Sequence, residues 1–174
     1  MITAGSGAVE KSGVDLHNPH GVAFAPDGAQ IWVADSEQDQ VVVLDARSLR
    51  AINAIGVGRT PWATAFSADG AYAYVTNIND DTVSVISAAG PRLTATVALP
   101  GFQAKNMVAT GTTYAQLHHQ PGAIALNPGD GTLWVACNSS SSLAVIDPSS
   151  NTVTAAFEIG LGDDPVGIAF AAVS

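Results

Sequence analysis

The stretch Tyr74-Val75-Thr76-Asn77, followed by Val83-Ser84-Val85-Ile86, decides how this chain is read. The same figure recurs as Trp32-Val33-Ala34-Asp35 before Val41-Val42-Val43-Leu44, and as Trp134-Val135-Ala136-Cys137 before Leu143-Ala144-Val145-Ile146. Upstream of each copy stands a turn, Asp27-Gly28, Asp69-Gly70 or Asp130-Gly131, and upstream of each turn a proline, Pro19, Pro61 or Pro121. An internal repeat of this kind constrains architecture before any single residue is interpreted.

Working outward from the figure, each repeat predicts four short strands, a to d. In the first repeat His20–Ala25 is strand a, Pro26-Asp27-Gly28 a hairpin turn, Gln30–Ala34 strand b and Gln40–Asp45 strand c. Asp35–Gln40 forms a polar loop between b and c, and a turn at Ala46-Arg47-Ser48 leads to strand d, Leu49–Val57. The second repeat starts 42 residues after the first, and a fourth opens with Pro165-Val166-Gly167-Ile168-Ala169-Phe170. The divisions are an N-terminal segment 1–18 with a short strand around Ala8–Asp15, a candidate outer strand of another blade, blades at 19–60, 61–100 and 121–164, an inserted d–a loop at 101–120, and the first strand of a further blade at 165–174.

Four antiparallel strands repeating every 42 to 44 residues match the period of a β-propeller blade. Strands b and c are apolar on both faces, as in Ile31-Trp32-Val33, which fits a sheet sandwiched between neighbouring blades. A β-sandwich needs no sequence repeat, and period-two strands with Asp-Gly turns exclude a helical solenoid. The fold class is therefore all-β, an incomplete propeller of about three and a half four-stranded blades. Such a chain is expected to be part of a longer propeller or to pair with another chain, because the edge of the last strand is otherwise unsatisfied.

The figure Pro-x-Gly-Val-Ala-Phe-x-Pro-Asp-Gly, then Tyr-Val-Thr-Asn, then Val-Ser-Val-Ile resembles the YVTN family of β-propeller repeats over roughly residues 19–170. The resemblance implies an extracytoplasmic location, periplasmic, secreted or at the cell surface. Its relatives serve as surface proteins, binding modules and enzyme subunits, so it specifies the scaffold far better than the chemistry.

Composition narrows the partners. The net charge is −9, with two Lys (Lys11, Lys105) and four Arg (Arg47, Arg50, Arg59, Arg92), which argues against nucleic acid and anionic membrane surfaces. No apolar run approaches the roughly 20 residues of a membrane helix, and Met1 to Lys11 lacks the pattern of a signal peptide. The lone Cys137 allows no intrachain disulfide and is read as a structural thiol.

Candidate chemistry gathers on the d–a loops, which vary most between copies and share one end of the propeller with the b–c loops. Repeat symmetry places His17, Arg59, His119 and Asp163 on one ring, and His20, Trp62, Gly122 and Val166 on another. The long d–a loop Pro100–Gln120 adds Lys105, Met107, Tyr114, His118 and His119. Three readings compete. The first is a solvated polar rim with no ligand. The second is a polar-ligand site using Arg59, Trp62, Lys105, Tyr114, His119 and Asp163, with Arg59 on a carboxylate or phosphate and Trp62 stacking. The third is a divalent metal held by His17, His20, His118 and His119, with Asp163 or Asp164 adding oxygen.

The b–c loops align Asp35-x-Glu37-x-Asp39 with Asn77-x-Asn79-x-Asp81, oxygen ligands at a spacing that can wrap Ca²⁺, although turn chemistry explains them better. Asp45 and Asp147 are expected to accept backbone N–H groups in the c–d turns. No nucleophile elbow, Walker loop or dinucleotide fingerprint is present. The expectation is a non-catalytic binding or scaffold module whose partner is a protein, the rest of the propeller or a small polar ligand. The competing expectation is an enzyme or enzyme subunit, lactonase-, lyase- or dehydrogenase-like, with a site at the channel mouth.

Overall fold

The structure is a computed structural model that describes residues 14–99, 120–159 and 165–170. Among the described residues twelve strands form three four-stranded antiparallel sheets. Blade 1 contains β1 (Pro19–Phe24), β2 (Gln30–Asp35), β3 (Gln40–Asp45) and β4 (Ala51–Gly56), hydrogen-bonded in chain order. Blade 2 contains β5 (Pro61–Phe66), β6 (Tyr72–Asn77), β7 (Thr82–Ser87) and β8 (Arg92–Ala98). Blade 3 contains β9 (Pro121–Leu126), β10 (Leu133–Cys137), β11 (Ser142–Asp147) and β12 (Thr152–Glu158). The all-β propeller architecture read from the repeat is the architecture observed. No helix among the described residues is long and apolar enough to cross a membrane.

Turn chemistry sets the blade edges. Gly28, Gly70 and Gly131 take φ of 69°, 70° and 76°, a region that glycine enters without steric cost. The aspartate before each one accepts the next backbone N–H, at 2.9 Å for Asp27 with Ala29 and 3.0 Å for Asp69 with Ala71. At the other hairpin, Asp45 Oδ1 accepts from Arg47 N and Ser48 N, and Asp147 Oδ1 from Ser149 N. These bonds give both carboxylates their structural role. Strand d of blade 1 is shorter than the expected Leu49–Val57, because Leu49 takes φ 55° and belongs to the turn.

The core lies between blades. Trp32, Val41, Val43 and Ile55 of blade 1 pack with Ala73, Val75 and Ile86 of blade 2, joined by Phe66. Tyr74, Val83, Val85 and Val97 on the opposite side of blade 2 pack with Ile124, Leu133, Val135, Ala144 and Ile146 of blade 3. Strands b and c are apolar on both faces because the middle blade buries both. Each Val or Ile taken fully from water stabilises by about 1.5–3 kcal/mol, so these two seams hold the blades together.

The first strands of the three blades, β1, β5 and β9, lie side by side. A Cβ added to Gly21 would stand 2.1 Å from the backbone oxygen of Trp62, so only glycine allows β1 and β5 this approach. Residues 165–170 carry no strand ladder among the described residues. Their Phe170 nevertheless meets Trp134 edge-on at 6.0 Å, the relation that Phe66 has to Trp32 at 5.4 Å. The segment thus occupies the side-chain position of a strand a without its backbone pairing.

Candidate functional site

The d–a and b–c loops meet at one end of each blade. Asn18, Thr60 and Gln120, the residues before the repeat prolines, all take positive φ (62°, 56° and 49°). Their carbonyls accept N–H groups from the adjoining b–c loop: Ser36 N to Asn18 O, Ile78 N to Thr60 O and Asn138 N to Gln120 O. A β-branched residue such as Thr60 strains in this conformation. Two partners hold it: its N–H donates to Asp39 Oδ1 at 2.8 Å, and its Oγ1 accepts from Asn79 Nδ2 at 2.6 Å.

Asp39 belongs to blade 1 and Thr60 leads into blade 2, so the first bond latches two blades. Asp81 repeats it, accepting from Gln120 N at 3.0 Å. Ser36 Oγ adds a buried bond to Pro61 O across the same seam. Asp35 is fully buried and accepts from His17 N at 2.7 Å and Gln40 Nε2 at 3.1 Å. These carboxylates are spent on the backbone and on neighbouring amides, which is the turn chemistry expected of the b–c loops. Among the described residues no group of three or more His, Cys, Asp or Glu could hold a metal ion.

Of the predicted site residues, the structure describes four. His17 Nε2 lies 3.8 Å from Asp15 Oδ2. Arg59 is fixed by three bonds: its N donates to Asp80 Oδ2 at 2.7 Å, its Nε to Asp80 Oδ1 at 2.5 Å, and its Nη2 to Asn79 O at 2.8 Å. The pair perturbs both groups. The backbone N–H and the guanidinium of Arg59 hold the Asp80 carboxyl below its ordinary range, and the hydrogen bond to Asp80 raises Arg59. An anion approaching Arg59 therefore meets a guanidinium already neutralised by its neighbour.

His20 and Trp62 form the most defined surface feature at this end. Their rings stack with centroids 3.5 Å apart and planes 24° from parallel. The register shifts between Pro19 and Val22 in β1, and between Pro61 and Thr64 in β5. Such irregularities re-aim side chains at strand ends, and each ring sits inside one. Repeat symmetry predicts both residues on one ring, and the structure brings the two side chains into contact. Lys105, Tyr114, His118, His119 and Asp163 lie outside the described residues, as does Met107.

Sequence reasoning missed Asp80, the partner of Arg59. The corresponding positions are Gln38 and Ser140, so the repeat carries no signal for it. It also left Cys137 with little environment to judge. The thiol is 1 % exposed, and burial pushes its pKa up to about 12, the value of an inert structural cysteine.

The chain matches the family described as Lactonase, 7-bladed beta-propeller over residues 2–165. No curated protein matches. Among solved structures, hydrazine synthase of Kuenenia stuttgartiensis is similar with a TM-score of 0.72 and 22% identity, covering 94% of this chain and 41% of that one. Catalytically inactive H270A virginiamycin B lyase from Staphylococcus aureus, solved with quinupristin, gives 0.66 and 16% over 86% of this chain and 44% of that one. A putative 6-phosphogluconolactonase from Bacteroides uniformis gives 0.63 and 18%, covering 82% and 41% respectively. At these identities the likeness concerns the fold, and the chain spans about two fifths of the length of each neighbour. Its repeat, its three sheets and the family match over nearly its whole length agree: the chain belongs to the seven-bladed β-propeller lactonase family.

Proposed function

We propose that this chain is a non-catalytic binding module, three and a half blades of a larger ring of YVTN-like repeats, that takes a small neutral polar ring at its d–a face. The observation that carries this reading is the His20–Trp62 stack beside the d–a loops. Flat aromatic faces bind the C–H face of a sugar or lactone ring while polar neighbours fix its orientation. Electrostatics select a neutral ligand over the carboxylate or phosphate first expected, since Asp80 already holds Arg59 and the chain carries a net charge of −9. An extracytoplasmic setting belongs to the same reading and is supported by the YVTN resemblance alone.

The second reading is lactone hydrolysis, favoured by the family match. One titration separates the two. A neutral sugar lactone should quench the fluorescence of Trp62 saturably, the Trp62→Ala variant should lose the response, and acid release in a pH-stat should match the uncatalysed rate. Acceleration of acid release would establish the enzyme reading instead. A flat titration with no acceleration would sink both.

A further inference from the structure

We propose that the Asp27-Gly28 turn is a covalent modification site, at which the aspartate rearranges to isoaspartate while the chain stays folded. The three a–b hairpins carry the same Asp-Gly pair, at Asp27, Asp69 and Asp130. Each glycine takes positive φ and donates its N–H back across the turn: Gly28 to Ala25 O at 2.8 Å, Gly70 to Ser67 O and Gly131 to Asn127 O at 2.9 Å. Each aspartate Oδ1 accepts the N–H two residues on, from Ala29, Ala71 or Thr132. That bond closes a ring around the glycine nitrogen and curls the carboxyl carbon back toward it. Glycine adds no side chain to obstruct the approach.

The reaction needs no partner but water. The Gly28 nitrogen forms a bond to Asp27 Cγ, its proton and the carboxyl hydroxyl leave together as water, and a cyclic imide closes. Water then adds to one of the two imide carbonyls. Opening the bond at Cγ restores aspartate. Opening the bond at the main-chain carbonyl leaves the backbone running through the side chain, one carbon longer. Hydroxyl leaves from the neutral acid far more readily than oxygen leaves from the carboxylate, so a group that keeps the carboxyl ionised and fixed slows the first step.

Neighbouring side chains separate the three sites. Ser67 Oγ donates to Asp69 Oδ1 at 2.6 Å, and Thr132 Oγ1 to Asp130 Oδ1 at 2.7 Å. These hydroxyls hold both carboxyls below their ordinary range. The matching positions in blade 1 are Ala25 and Ala29, which offer no hydroxyl. Among the described residues the Ala29 N–H is the one hydrogen bond to the Asp27 carboxyl. Asp69, in the middle blade, is exposed as Asp27 is, so the contrast comes from the hydroxyls and not from what lies beside blade 1.

The position makes the change consequential. Bonds from Gly28 N to Ala25 O and from Ala25 N to Gln30 O close the β1–β2 hairpin. Pro26 lies 3.4 Å from a Cβ added at Gly70, so the same turn touches blade 2. An extra main-chain carbon breaks the hairpin bonds and shifts Pro26 at the seam.

Peptide mapping of the full chain, aged for weeks at mildly acidic pH with its circular dichroism spectrum followed, tests this. Endoproteinase Asp-N cuts before aspartate and not before isoaspartate, so each site reports its own conversion. Asp27 should convert several-fold faster than Asp69 or Asp130. Ala25→Ser gives blade 1 the hydroxyl that Ser67 gives blade 2, and should slow Asp27 to the rate of Asp69. Ser67→Ala should raise Asp69 toward the rate of Asp27, and answers the same question if Ala25→Ser fails to fold. Ageing in urea, where the turns are lost, should bring the three rates together. No conversion, equal rates in the folded chain, or earlier conversion at Asp69 or Asp130 would overturn the proposal. So would rates unmoved by the two variants, or a contrast that survives in urea.

Discussion

Trp32 and Phe66 meet edge to face across the first blade seam, their ring centroids 5.4 Å apart and their planes at 81°. Trp32 is fully buried and its indole N–H donates to Gln30 Oε1 at 3.0 Å, so the ring enters the core with its one polar group satisfied. Tyr74 with Leu126, and Trp134 with Phe170, fill the same two positions at the following seams. The seam is thus a repeated lock: a large ring on strand b receives the last side chain of the next strand a.

The first prediction concerns that lock. Phe66→Ala removes most of a ring that packs into the cluster of Trp32, Val41, Val43 and Ile55, and should cost about 3 kcal/mol. Phe66→Leu places at this seam the residue that Leu126 supplies at the next, and should cost less than about 1.5 kcal/mol. Urea unfolding of the two variants beside the native chain gives both values. Equal losses would mean that shape at this position is not what the seam reads.

A second prediction sets two equivalent glycines against each other. Gly21 and Gly167 share one repeat position, two residues after the proline. A Cβ at Gly21 would sit 2.1 Å from Trp62 O and 3.0 Å from Ala63 Cα, backbone atoms that cannot step aside singly. Among the described residues nothing lies within 4 Å of a Cβ added at Gly167. Gly21→Ala should therefore destabilise by about 3 kcal/mol through overpacking, while Gly167→Ala should stay within roughly 0.5 kcal/mol. Thermal unfolding of the pair measures the contrast, and matched melting temperatures would contradict the close approach of β1 and β5.

Most of the fold was legible because the repeat acts as a ruler. Gln40–Asp45 is strand c in the sequence reading and in the structure, and strand b differs by a single residue at Asp35. The ruler works wherever copies agree, since every copy must satisfy the same ladder and the same seam. It fails wherever one copy acts alone. Arg59 is bound by Asp80, a residue without a carboxylate counterpart in blades 1 and 3, so no period pointed to the pair. The His20–Trp62 stack is an intermediate case. Periodicity put both residues on one ring, but their contact depends on the irregular register after Pro19 and Pro61, which alternation in sequence does not encode.

The last prediction follows from the carboxylates that close the turns and the Arg59 latch. Asp80 is lowered by hydrogen bonds from Arg59, Asp45 by bonds from Ser48, Asp69 by Ser67, Asp130 by Thr132 and Asp147 by Ser149. A carboxyl whose pKa is lower in the folded state binds fewer protons there than in the unfolded chain. Its contribution is complete above the unfolded value, near 3.9, and is lost as pH falls through the folded one. The melting temperature should therefore hold level from pH 7 to pH 5 and fall steeply below about pH 4. Asp80→Asn isolates one share of that fall. Because the Arg59 side chain is 65% exposed, solvent screens the pair and its contribution at neutral pH should be small. The variant should thus melt slightly below the native chain at pH 7, and the two curves should converge as pH falls through the lowered pKa of Asp80 and the native carboxyl takes up its proton. Curves that run parallel across the whole range would show that Asp80 gains nothing from its charge, and that Arg59 is held by geometry alone.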